Sequence, residues 1–126
     1  MKKNLSFIIF LSFTFLSLAG CKKTNEITCA LSAPLNQPPV DMTIVYTATQ
    51  TGDGVIASLS YVTISGTITV QNPQLPWTIT VPVFTSTKVT ISATGTTKNG
   101  SLSISYDGNS GGSTIHGSDS CEQQTN

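Results

Sequence analysis

The sequence predicts an all-β protein, and three observations carry that reading. Threonine and serine alternate with valine, isoleucine, leucine and tyrosine through most of the chain beyond Asp41, glycine and asparagine recur between these segments, and no stretch there has helical periodicity. Alternation of apolar and polar side chains marks strands with one buried face and one wet face.

The candidate strands follow in order. Ile44, Tyr46 and Ala48 form the first alternating set, and Ala57, Leu59 and Tyr61 the second, joined by a Gly52-Asp53-Gly54 turn. Ile68 and Val70 alternate with Thr67 and Thr69 after Ser65-Gly66. Trp77, Ile79, Val81 and Val83 mark a strand entered through Pro73 and Pro76. Pro82 lacks a backbone donor, which argues for an edge position or a bulge. Val89, Ile91 and Ala93 alternate with Lys88, Thr90, Ser92 and Thr94, and Leu102, Ile104 and Tyr106 with Ser101, Ser103 and Ser105. Between these two runs Lys98-Asn99-Gly100 reads as a hairpin turn, because Asn and Gly tolerate positive φ, and Asp107-Gly108 reads as a second such turn. A last strand holds Ile115 and His116. About seven strands at roughly ten-residue spacing favour a two-sheet antiparallel sandwich of immunoglobulin type over a barrel.

The N-terminus carries a different signal. Lys2 and Lys3 precede an apolar run from Leu5 to Leu18, the pattern of a signal peptide. The run is shorter than the roughly 20 apolar residues a permanent span needs. It ends in Leu18-Ala19-Gly20-Cys21, which resembles a bacterial lipobox: an apolar residue, two small ones that fit a peptidase cleft, and a cysteine whose thiol accepts diacylglycerol. The expectation is cleavage before Cys21 and a lipid anchor on it, each immersed methylene contributing about 0.8 kcal/mol. The organisation expected is a signal peptide over 1–20, a lipidated flexible tether over 21–41 with Pro34, Pro38 and Pro39, the sandwich over 42–121, and a polar tail over 122–126. Lys22 rather than aspartate follows Cys21, and no acidic cluster comes after it, so an outer-membrane anchor facing the periplasm is expected.

In that oxidising compartment Cys29 and Cys121, near the two ends of the mature chain, are expected to form a disulfide. Only 10% of residues are charged, the formal balance is zero and arginine is absent, which argues against a nucleic-acid partner. No set of Cys and His stands at metal-ligand spacing, so neither a metal nor another cofactor is expected.

Three patterns invite chemistry. Gly108-Asn109-Ser110-Gly111-Gly112 fits the G-x-S-x-G form of a nucleophile elbow, with His116 as the one available base. An elbow needs a parallel strand and a following helix, and neither is expected, so the segment reads as a glycine-rich hairpin loop and the protein as no enzyme. Asp107, Asn109 and Asp119 hint at calcium, but the further acidic ligands of a hard-cation loop are missing. His116 itself reads as a surface residue. Trp77, Tyr46, Tyr61 and Tyr106 could stack on sugars, although core and cross-strand contacts account for them more simply.

Val45-Tyr46, Leu59-Ser60-Tyr61, Leu75-Pro76-Trp77 and Ser103-Ile104-Ser105-Tyr106-Asp107-Gly108 together resemble the β-sandwich domain of MmpS-type transport accessory proteins and of small Bacteroidota lipoproteins with the same pattern. The resemblance covers roughly 42–121. It implies a sandwich and, for the mycobacterial members, partnership with a large membrane exporter. Those members carry an uncleaved transmembrane helix where this chain carries Cys21. The function expected is therefore non-catalytic interaction at an envelope membrane, as accessory to a transport system. The alternative is a glycan- or small-ligand-binding module.

Overall fold

The computed structural model describes residues 26–123, and the expected signal peptide, Cys21 with its expected lipid, and the tail from 124 onward lie outside them. The described chain forms eight strands and no helix: β1 (Ile27–Ser32), β2 (Met42–Thr51), β3 (Val55–Thr63), β4 (Gly66–Gln71), β5 (Trp77–Val83), β6 (Ile91–Thr97), β7 (Ser101–Ser110) and β8 (Ser113–Glu122). They build two antiparallel four-stranded sheets, ordered β1-β6-β3-β4 and β5-β2-β7-β8. The architecture is a β-sandwich.

The alternation seen in the sequence sets the faces. Ile44, Tyr46 and Ala48 of β2, Leu59 and Tyr61 of β3, Ile91 and Ala93 of β6, and Leu102, Ile104 and Tyr106 of β7 point inward and are buried. Burying each of the larger side chains contributes roughly 1.5–3 kcal/mol. Tyr46, Tyr61, Trp77 and Tyr106 form a continuous aromatic seam, with ring centroids 5.3 Å apart for Tyr46–Tyr61, 5.4 Å for Tyr61–Trp77 and 6.4 Å for Tyr46–Tyr106. Offset and edge contacts at these distances suit the ring quadrupoles. β5 is an edge strand, so Pro82 leaves no central ladder position without a donor.

Four expectations are corrected. Residues 27–32, placed in the tether, are strand β1, paired with β6 from Ile27–Thr97 to Ser32–Ser92. Beyond it Asn36 and Val89 exchange backbone hydrogen bonds of 2.7 and 3.0 Å, so the proline-bearing connection is laid against the domain. Prolines argued against helix there and left open whether extended chain was free or paired.

Lys98-Asn99-Gly100 does not close a hairpin within one sheet. Both edges of β6 are taken by β1 and β3, and β7 lies in the other sheet, so the turn crosses between sheets. The Asp53 carboxylate holds it: Oδ1 accepts from the amides of Lys98 (3.0 Å) and Asn99 (2.9 Å) and from the Thr97 hydroxyl (3.0 Å). These donors pull the Asp53 pKa below its ordinary value.

Asp107-Gly108 is no turn, because β7 runs straight through it to Ser110. A Cβ on Gly108 would stand 2.5 Å from Ile44 Cδ1 and 2.6 Å from Met42 Sδ, so glycine is there to admit core side chains. The reversal comes at Gly111 and Gly112, with φ of 56° and 87°, in a two-residue loop between Ser110 and Ser113. Finally, β8 extends through Glu122, which pairs with Ser101, so the polar tail begins later than expected.

Candidate functional site

The expected disulfide is formed. Cys29 of β1 and Cys121 of β8 are bonded with Cα atoms 5.9 Å apart, linking the two sheets along one side of the sandwich. Asp119, two residues before Cys121, faces the same way, and its Oδ2 accepts from the Ser32 amide at 2.9 Å. β1 is thereby fixed to β8 as well as to β6.

Tyr106 supplies a third tie. Its buried hydroxyl donates to the Pro34 carbonyl and accepts from Asn36 Nδ2 at 3.1 Å. The ring lies over Gly117, where a Cβ would stand 2.4 Å from Cζ. Tyr46 is also buried, and its hydroxyl donates to the Val62 carbonyl at 2.7 Å. Desolvation pushes its pKa up to about 12.

Polar side chains gather on the outer face of the β2-β7-β8 sheet. Register places Val45, Asp107 and His116 in one row and Thr43, Asn109 and Thr114 in the next. They line a shallow open depression. Within it His116 Nδ1 lies 2.6 Å from Asp107 Oδ1, with side chains 62% and 63% exposed. So open a pair contributes at most about 1 kcal/mol to stability. It can offer one donor and one acceptor to a ligand.

The residues of the catalytic and metal patterns are not brought together. Ser110 shares the inward register of Leu102, Ile104, Tyr106 and Gly108, whereas His116 is paired with outward-facing Asp107. The serine and the base therefore sit on opposite faces of the sheet, with Ser110 three residues, about 10 Å, along the strand from Asp107. Antiparallel β7 and β8 flank the glycine loop where an elbow needs a parallel strand and a helix. Asp107 and Asn109 face outward while Asp119 faces β1, and no group of three potential metal ligands occurs among the described residues.

The aromatic residues are likewise accounted for by packing. Tyr46, Tyr61 and Tyr106 are buried, and Trp77, packed against Tyr61, is the one that is only partly buried. The contacts that sequence reasoning missed are those of Asp53, Asn36 and Asp119, each of which bonds a distant backbone amide or side chain across at least 44 positions. The Asp-Gly pair at Asp53 was visible as a turn, but its target was not.

No family model matches the chain, and neither a curated protein nor a solved structure does.

Proposed function

We propose that this chain is a lipid-anchored, non-catalytic protein of a bacterial envelope, its immunoglobulin-like sandwich acting by contact with an envelope protein as accessory to a membrane transport system. The observation that carries the reading is the nearness of the lipobox to the fold. Cys21 stands six positions before Ile27, the first residue of β1. Six residues span at most about 20 Å even when fully extended. Acyl chains on Cys21 would therefore hold one end of the sandwich close to the bilayer.

That end is defined by the topology. Ile27 pairs with Thr97, beside the Gly52–Gly54 and Lys98–Gly100 turns and the end of β8. The opposite end, carrying the exposed apolar side chains Leu35, Val40, Ile64 and Phe84, would face away from the lipid. Exposed apolar loops directed outward from an anchored domain suit protein contact better than catalysis. The disulfide fits an oxidising compartment, and the periplasmic side of an outer membrane is the location proposed.

Intact-mass measurement of the native protein tests the anchor, with cleavage before Cys21 and added acyl mass expected. Cys21→Ser should leave an uncut or soluble chain. A mature mass without acyl groups would reject the reading. Crosslinking in intact cells tests the partner, and recovery of glycan in place of protein would favour the ligand-binding alternative.

A further inference from the structure

Edge strands expose unpaired N–H and C=O groups, and sheets commonly guard them with charge, proline or a bulge. Three of the four edges here are guarded. β5 carries Pro82, β8 carries His116, Asp119 and Glu122, and β1 is tied to β8 by the disulfide and by Asp119. β4, with the sequence Gly-Thr-Ile-Thr-Val-Gln, has none of these devices. It lies within a stretch, Gly54 to Thr87, that contains no charged residue.

The free groups of β4 can be assigned. The Asn72 amide donates to the Ala57 carbonyl at 2.8 Å, so these two residues form a hydrogen-bonded pair. Alternation from there gives Val70–Leu59, Ile68–Tyr61 and Gly66–Thr63 the same character, their N–H and C=O groups turned toward β3. Thr67, Thr69 and Gln71 consequently turn theirs to the open edge. On the inner face Ile68 remains 40% exposed, above a β5 edge where Trp77 and Ile79 are only partly buried.

From this edge we infer that β4 joins a second copy of the chain by antiparallel β4–β4 pairing centred on Thr69. The register is self-complementary. Thr69 meets its counterpart and Thr67 meets Gln71 in hydrogen-bonded pairs, which uses every outward backbone group. Ile68 meets Val70 in the intervening non-hydrogen-bonded pairs, where Cα atoms approach to about 4.5 Å and side chains touch most closely. Each copy thus covers the other's exposed Ile68. Absence of charge from Gly54 to Thr87 removes repulsion between identical surfaces. A two-fold contact of this kind is closed and stops at the dimer.

Cysteine scanning in the full-length chain tests the register. Thr69→Cys should form an intermolecular disulfide on oxidation, since the Cα separation of a hydrogen-bonded pair, about 5.5 Å, lies within disulfide range. Thr67→Cys alone should not link, and the Thr67→Cys/Gln71→Cys chain should link again. In detergent solution the unsubstituted chain should sediment as a dimer. Thr69→Lys should sediment at half that mass while keeping a cooperative thermal transition that no longer depends on protein concentration, because two ammonium groups would meet on the axis. A monomeric unsubstituted chain, a Thr69→Lys dimer, or equal linking at 67 and 69 overturns the inference. Should Thr69→Lys fail to fold, the three cysteine variants decide alone.

Discussion

Removing the Cys29–Cys121 bond perturbs the unfolded chain far more than the folded one. In the native state β1 is already held by its ladder to β6, by the Asp119–Ser32 contact and by the Asn36–Val89 pair. What the bond removes is freedom in the denatured state, where it closes a loop spanning a sequence separation of 92. Chain-entropy arithmetic for a loop of that length gives about 4.6 kcal/mol at 25 °C, and measured values for native bridges run from about 2 to 5 kcal/mol. A domain of this size loses about 4–8 °C of melting temperature per kcal/mol.

The assay is thermal unfolding followed by circular dichroism, with and without reductant, on the natural chain and on Cys29→Ala/Cys121→Ala. Reduction keeps both sulfur atoms and should lower the melting temperature by roughly 10–40 °C. The double variant should melt lower still, by about 1 kcal/mol, because Cys29 is only 1% exposed and its sulfur leaves a void. It should also ignore reductant. A shift of less than about 2 °C on reducing the natural chain would refute the reasoning, since it would mean the unfolded chain gains almost nothing when the loop opens.

Tyr106→Phe strips a hydroxyl that both donates to Pro34 and accepts from Asn36, and it should cost about 1–3 kcal/mol in denaturant unfolding. Amide exchange across the β1–β2 connection should rise in the same variant. Gly117→Ala drives a methyl into the Tyr106 ring, 2.4 Å from Cζ, and should cost about 1–3 kcal/mol in the same assay. The lowered pKa of Asp53 stabilises the fold above its ordinary value of 3.8, and that stability is lost as pH falls through the lower folded value. Asp53→Ala should accordingly melt lower than the natural chain at neutral pH, and the gap should close in acid. Tyr46 has the opposite sign: unfolded tyrosine ionises near 10.0 and the buried one near about 12, so stability is full below 10 and declines as pH rises toward 12. Denaturant midpoints measured across that alkaline range should fall for the natural chain, and less steeply for Tyr46→Phe.

What the sequence disclosed and what it hid divide along one physical line. Period-two alternation is a property of neighbouring residues, so the inward sets Ile44-Tyr46-Ala48 and Leu102-Ile104-Tyr106 were legible, as was the edge position of Pro82. Cys29 and Cys121 were legible because cysteine alone can make the bond and, with Cys21 expected to carry lipid, these two were left for each other. Turn residues reveal only that the chain reverses. Lys98-Asn99-Gly100 does reverse it, but whether the next strand returns beside β6 or crosses to the facing sheet depends on β1 and β3 having taken both edges of β6. Strand β1 itself was hidden because its apolar set, Ile27, Cys29 and Leu31, is short and is followed by prolines that suit a linker equally well. Its place is fixed from a distance, by Cys121, Asp119 and Tyr106, which are all on β7 or β8. The last strands therefore dictate where the first one lies. The segment nearest Cys21 is among the most heavily tied in the fold, so a pull entering at Ile27 would load the ladder to β6 first and then, at Cys29, the disulfide to β8.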